Sequence, residues 1–249
     1  LKLTGIPLVH LAATVTFETL EAASQTVAVL MGSGLEPAAL ELLTPELIAL
    51  MNREKSLGIE EKPSLFCEFH GISEAALKET ADLAEELCRD GGAVTFKTGV
   101  TEKERRELWR ARHEAWETIH RAFPGRETII VDAAVPISVY PEMVVFSQRQ
   151  LDKKKAVGFV FGHAGDGNVH VVMVGDPADE REWTALEEIN DTIVHRAVEL
   201  GGTCTGEHGI GIGKRKFMQL EHGEGVGLMK QIKSVIDPKG LMNPGKMFL

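Results

Sequence analysis

Residues 161–171 read FGHAGDGNVHV, with His163 and His170 seven positions apart across a glycine-rich centre. Seven is an odd separation, and within a single strand it would send the two imidazoles to opposite faces. The Asp166-Gly167 pair between two β-rich runs removes the difficulty, because it predicts a two-residue type I′ turn. In such a hairpin Gly165 faces Asn168, Ala164 faces Val169 and His163 faces His170. Cross-strand partners share a face with Cβ atoms roughly 4.5–5.5 Å apart. Two facing imidazoles can share a divalent cation at about 2.0–2.1 Å per nitrogen. The plainer alternative is a pair of polar residues on the solvated side of a hairpin.

A third ligand is available in TCTGEHGIGIGK (203–214), where Glu207 and His208 are adjacent in a loop whose glycines let the backbone bend closely round a bound group. Two histidines and one carboxylate, with positions left open for substrate, are a common catalytic metal arrangement. The glycines themselves form no phosphate cradle. A P-loop needs glycine where His208 stands and Ser or Thr where Arg215 stands, and a dinucleotide fingerprint starting at Gly209 needs glycine where Lys214 stands.

The elements that must position these residues follow from periodicity and turn chemistry. Residues 8–15 read as a strand and 18–31 as a helix closed by Gly32 and Gly34. ALELL (39–43) is a strand, followed by a helix that Thr44 caps and Pro45 opens. Residues 64–70 form a strand, and Ser73 caps a helix to about Arg89, ended by Gly91-Gly92. Residues 93–97 are a strand, and Thr101 opens a long helix through Ala122. Beyond it come a strand (128–136), a helix (138–150), the hairpin strands (157–163 and 168–174), a helix (178–200) and a last helix (224–236). This order predicts an α+β fold in one structural unit: an antiparallel or mixed sheet with ferredoxin-like elements, covered by helices on one face.

Composition narrows the function classes. With 249 residues, 43% hydrophobic, the chain can bury a proper core. A formal net charge of −10 argues against a nucleic-acid partner, and the basic runs at 153–155 and 214–216 read as solvated faces. Cys67, Cys88 and Cys204 are odd in number and form no CxxC pair, which suits reduced thiols in a cytoplasmic compartment. No apolar run approaches the roughly 20 residues of a bilayer span, and no signal peptide is evident. The opening LKLTGIPLVH lacks methionine and reads as the end of a strand already under way in a longer polypeptide.

Together, FGHAGDGNVHV, TGEHGIGIGK (205–214) and DPKGLMNPGKMF (237–248) closely resemble the C-terminal substrate or cap domain of FAD-linked 2-hydroxyacid oxidoreductases. These are vanillyl-alcohol-oxidase-like flavoproteins of the D-lactate dehydrogenase and glycolate oxidase D subunit type. RELWRARHEAW (106–116) and VDAAVPIS (131–138) extend the resemblance over nearly the whole chain. It implies that His163, His170 and Glu207 are metal ligands, that His208 takes the substrate hydroxyl proton, and that Arg112 pairs with the substrate carboxylate. Without the resemblance Arg112 would read as a solvent-facing helix arginine, like Arg105, Arg106 and Arg110. Asn243 and Lys246 would lie in a tail that returns toward the flavin domain. The implied cofactors are FAD, bound mainly by an N-terminal domain this sequence lacks, and a divalent metal, zinc before manganese or iron. The implied partners are a small 2-hydroxyacid, the FAD-binding domain and an electron-acceptor protein or quinone, the last compatible with a peripheral place at an inner membrane. The isolated chain is expected to be inactive.

The sequence departs from hydroxyglutarate-specific members at three places. They carry threonine where Trp116 stands, lysine near Ile130, and asparagine where Val172 stands. The groups for a second carboxylate are thus missing, which implies a smaller or more apolar substrate. The residues also allow a metal-dependent hydrolase with the same His/His/Glu set, or a non-catalytic metal-binding module. A hydrolase would act without added cofactor, and a module would turn over nothing even beside a flavin domain.

Overall fold

Strands with β-branched and aromatic residues are interspersed here with amphipathic helices, three of which carry side-chain N-caps among the described residues. The computed structural model describes residues 5–55, 57–98, 106, 109–110 and 112–248. In chain order the elements are β1 (Val9–Phe17), α1 (Leu20–Gly32), β2 (Ala39–Leu43), α2 (Pro45–Lys55), β3 (Ser64–Gly71), α3 (Glu74–Asp90) and β4 (Ala93–Thr98). Then follow α4 (Ala115–Ala122), β5 (Glu127–Ala134), α5 (Tyr140–Lys154), β6 (Gly158–His163), β7 (Asn168–Gly175) and α6 (Glu180–Glu199). Short α7 (Gly211–Lys214) and α8 (Met218–His222) lead to α9 (Gly225–Ile236).

The seven strands form one sheet in the order β4-β1-β3-β2-β6-β7-β5, with every neighbouring pair antiparallel. Residues up to β4 give a ferredoxin-like half-sheet, order 4-1-3-2. β5, β6 and β7 repeat the first three strands of that order, and β2 joins β6 to make the sheet continuous. Where the second half would have its fourth strand, pairing shrinks to one bridge between Ala134 and Thr203. The chain released there supplies the loop that carries Glu207 and His208.

One face buries the larger core. Val27 and Leu30 of α1, Leu77 of α3, Met143 and Val144 of α5, and Ile193 of α6 pack on Val15, Cys67, Val131 and Val171. Helices were expected on this face alone, but α2 and α4 cover part of the other. Leu43, Phe66, Phe159, Phe161, Val172 and Val174 make that part of the second face apolar, and Leu47, Ile48, Met51 and Ile119 close over it. Each such side chain stabilises by roughly 1.5–3 kcal/mol when fully buried. The uncovered remainder of that face carries the polar residues described below.

Local signals hold at several helix ends. Thr19 and Ser73 accept from Ala22 and Ala76 N–H as N-caps, and Asp179 accepts from Arg181 and Glu182. Thr44 differs: its carbonyl accepts from Ile48, while its buried hydroxyl has no partner among the described residues. The start of the helix expected from Thr101 lies outside the described residues, and a turn at Glu114 separates Arg112 and His113 from α4.

The β6–β7 hairpin is not the two-residue turn expected. Phe161, rather than His163, stands opposite His170. Ala164–Asp166 form a 3-10 turn closed by Gly167 N–H donating to Ala164 O at 3.2 Å, with Gly167 left-handed at φ 72°. Burial explains the change: Ala164 is fully inside the core, and seating it there draws 164–166 out of the ladder. Because the register moves by two, His163 keeps the face of His170. The strands also approach closely, since a Cβ on Gly162 would lie 2.1 Å from Asn168 O. Gly162→Ala is therefore expected to destabilise by about 1–3 kcal/mol, read as a fall of several degrees in Tm. An unchanged Tm would show that the hairpin relaxes freely.

Candidate metal and active site

On the uncovered face, cross-strand pairing sets each histidine beside a carboxylate. Glu41 on β2 is the partner of His163 on β6, and Asp132 on β5 is the partner of His170 on β7. His163 Nδ1 donates to Glu41 Oε1 at 2.6 Å, while His170 Nδ1 is 3.7 Å from Asp132 Oδ1. The two rings meet edge to face with centroids 5.4 Å apart. Both Nε2 atoms turn instead toward Glu207 Oε1, at 3.4 Å from His163 and 3.3 Å from His170. At His163 the carboxylate behind the imidazole can fix tautomer and ring orientation, while the buried His170 Nδ1 has no hydrogen-bond partner among the described residues.

Asp132 also builds the loop that delivers Glu207. Its carboxylate accepts from the N–H groups of Glu207 and His208 and from the Thr205 hydroxyl, and its carbonyl accepts from Gly206 N–H. Lys214 Nζ donates to both its carbonyl and Oδ2 at 3.0 Å. Lys214 therefore points inward, against the expectation of a solvated basic run. Glycine is required at 206, where a Cβ would come within 2.8 Å of Asn168 and Asp132 side-chain atoms. Burial alone would raise the Asp132 pKa, but the His208 N–H, the Lys214 ammonium and the Glu207 N–H hold it well below the usual carboxylate range.

The spacing of the convergent atoms suits a cation. Bonds of about 2.0–2.1 Å in tetrahedral geometry place ligand atoms roughly 3.3 Å apart. Glu207 Oε1 stands 3.3 and 3.4 Å from the two Nε2 atoms, and 3.6 Å from His208 Nε2. These separations are long for hydrogen bonds. Ligand atoms of Asp132, His170, Glu207 and His208 all lie within 4.8 Å of one another. Asp132 is already saturated by donors, which makes it an anchor; His163 lies outside that four-residue group and meets it at Glu207, with Nε2 3.4 Å from Oε1. The imidazole nitrogens and carboxylate oxygen fit a divalent ion.

Arg112 is buried, not solvent-facing: it is 7% exposed and Glu41 is 5% exposed. Its Nε donates to Glu41 Oε2 at 2.7 Å, its guanidinium lies 5.1 Å above the Phe161 ring, and Nη2 reaches within 3.3 Å of His163. Glu41 thus braces both Arg112 and His163. Sequence reasoning missed Glu41, Asp132 and Lys214. The available signal was a lone acid in an apolar strand, in ALELL and in IIVDAAV, because a buried charge needs a partner.

The two histidines titrate oppositely. Burial, with the nearby Arg112 charge, pushes His170 down to about 3, while the bond to Glu41 raises His163 against its burial. A depressed folded pKa means that the His170 contribution is complete above its unfolded value of about 6.5 and is lost as pH falls toward 3, by roughly 1.4 kcal/mol per pH unit. The His163 contribution has the reverse sign: it is complete below about 6.5 and is lost as pH rises through the folded value. In the metal-free chain, His170→Asn is expected to flatten the fall in Tm between pH 6.5 and 4.5, and His163→Asn to remove a loss of stability that sets in above pH 6.5. Equal slopes in all three proteins would contradict these environments.

Asn243 and Lys246 are not brought to this site by any contact among the described residues. Both are exposed, in a tail tied down by Arg215 donating to Gly245 O and by Asp237 accepting from Leu241 and Met242 N–H. A cleft of about 430 Å³ adjoins the site, lined by Glu41, Glu68, His70, Arg106, Trp109 and His113 among others. A larger groove of about 1520 Å³ lies among α1, α5 and α6, and none of the five residues gathered at the site lines it.

Comparison with known proteins places the chain in a family. The family model described as FAD linked oxidases, C-terminal domain, matches residues 6–247. A probable mitochondrial D-lactate dehydrogenase of Danio rerio is 36% identical over 248 residues, 99% of this chain and 50% of that protein. The glycolate oxidase subunit GlcD of Bacillus subtilis (strain 168) is 34% identical over 235 residues, 93% of this chain and 49% of that protein. The chain spans about half the length of these curated relatives. Among solved structures, p-cresol methylhydroxylase matches with TM-score 0.68 at 13% identity, over 97% of this chain and 53% of its own. The 4-ethylphenol oxidase from Gulosibacter chungangensis matches with TM-score 0.67 at 18% identity, over 97% and 54%. At those identities the likeness is one of fold. By sequence over nearly its whole length, with the fold in agreement, the chain belongs to the FAD linked oxidases, C-terminal domain family.

Proposed function

We propose that this chain is the substrate- and metal-binding half of a flavin-dependent dehydrogenase that oxidises a small D-2-hydroxyacid, D-lactate or glycolate, to the 2-oxoacid. The observation that carries the reading is the convergence of two imidazole Nε2 atoms on Glu207, with His208 and Arg112 beside them. The printed descriptions of its relatives, D-lactate dehydrogenase and glycolate oxidase subunit, support the same chemistry. His163, His170 and Glu207 would hold the ion, and nitrogen-rich ligation favours zinc, with manganese or iron compatible. When bound, the ion supplies Lewis-acid polarisation of a substrate oxygen, and the flavin supplies a two-electron acceptor for the Cα hydride.

The chain's own residues do the rest. Arg112, braced through Nε, turns Nη2 toward the site, where a guanidinium can clamp a carboxylate. His208 accepts the hydroxyl proton as the C–O bond becomes a carbonyl. Ile130 and Val172 lie in the apolar cluster and Trp116 stacks on His120, so these three positions offer nothing to a second carboxylate. The N-terminal FAD-binding domain would cover the exposed Leu228, Ile232 and Val235 stripe of α9, with Asn243 and Lys246 of the tail turned to it. A protein or quinone acceptor would reoxidise the flavin, at the periphery of an inner membrane. No helix among the described residues is long and apolar enough to cross a membrane.

The test uses a flavoprotein that carries this chain as its C-terminal half. Anaerobic D-lactate or glycolate should bleach the flavin, and His208→Asn should slow bleaching by about 10²–10⁴-fold with flavin retained. No bleaching of wild type by either acid would defeat the proposal, and an unchanged rate in the variant would remove His208 as the base.

A further inference from the structure

We propose that His10, Glu68 and His70 form a second divalent-cation site of the zinc class, on the same sheet face. The directly opposed histidine pair expected in the β6–β7 hairpin exists here instead: His10 on β1 is the register partner of His70 on β3. Glu68 precedes His70 by two residues and so shares its face. His70 Nε2 is 2.7 Å from Glu68 Oε1, His10 Nδ1 is 3.6 Å from the same oxygen, and the two rings meet edge to face at 4.5 Å. One ligand atom from each residue lies within 4.8 Å of the others.

A histidine–carboxylate hydrogen bond accounts for His70 but not for His10, whose 3.6 Å contact is too long to be one. It is close to the roughly 3.3 Å that a tetrahedral ion imposes between ligands. The shorter contact needs to lengthen by about half an ångström, which side chains 35% and 37% exposed at the two histidines can accommodate. Placement supports the assignment. β1 and β3 hold the same positions in the first half-sheet that β5 and β7, carrying Asp132 and His170, hold in the second. Glu68 and His70 line the 430 Å³ cleft together with Glu41, so an ion there would present its open coordination positions to the cleft beside the first site.

Equilibrium dialysis of the chain against Zn²⁺ at pH 7.5, followed by elemental analysis, tests this. Wild type should bind two ions, the His10→Ala/His70→Ala variant one, and the His163→Ala/His170→Ala variant one. Glu68→Gln, which keeps the side chain's shape, should weaken one of the two ions at least tenfold, and circular dichroism should show each variant folded. A single ion in wild type, lost only with His163 and His170, would overturn the second site and leave the first standing. Two ions retained in the His10/His70 variant would overturn it as well.

Discussion

Arg112→Ala is expected to cost about 3–5 kcal/mol of stability and, in the flavin-containing protein, about 10²-fold or more in kcat/KM for 2-hydroxyacids. The first loss follows from burial. Arg112 and Glu41 are 7% and 5% exposed and share a 2.7 Å charge-assisted bond, so truncating one leaves the other charged and enclosed. In a chain of this size that is a fall in Tm of roughly 10 °C. The second loss follows from the guanidinium's place beside His163, from which a forked contact to the substrate carboxylate is available. Pairing the change with Glu41→Gln separates the two effects. The double variant should recover much of the Tm, because no buried charge is orphaned, but none of the activity. Arg112→Lys should keep the charge and still be impaired, since an ammonium cannot make the fork. A loss of less than threefold with an unchanged Tm would mean that Arg112 is neither clamp nor brace.

The other large effect concerns the metal. His163→Ala and His170→Ala should each remove most of the ion held with Glu207, measured after the metal has been added back. Asp132→Asn should lower affinity about 10–100-fold, as loss of an orienting carboxylate usually does. Asp132 never needs to touch the ion for this. It stands 3.7 Å from His170 Nδ1, too far for a hydrogen bond, and holds the Glu207 and His208 N–H groups, so its loss loosens the loop that carries Glu207. Equal metal content in wild type and both histidine variants would remove this ligand set.

Part of the candidate site was legible in the sequence because its motifs are local. His163, His170, Glu207 and His208 sit in two glycine-punctuated stretches, and Glu207 Oε1 lies 3.3–3.6 Å from Nε2 of each of the three histidines. Strands such as ALELL were readable because alternation and turn residues act over a few positions. What escaped depends on strand order. Glu41 meets His163 across 122 positions and Arg112 across 71, and no short-range signal says that β2 borders β6. The hairpin register was missed because the Asp166-Gly167 preference yielded to burial of Ala164, a tertiary effect. Lys214 looked like one member of a solvated run, yet a single carboxylate at the sheet edge turns it inward. The face pattern survived all this, since a slip of two residues leaves every side chain on its own side.

The most direct measurement is anomalous scattering at the zinc edge from crystals soaked with Zn²⁺ and D-lactate. The expected result is a peak about 2.0–2.2 Å from His163 Nε2, His170 Nε2 and Glu207, with lactate oxygen on its open side and the lactate carboxylate against Arg112. A map with no peak between these three side chains, or lactate bound away from Arg112, would contradict the assignment of this face as the substrate- and metal-binding site.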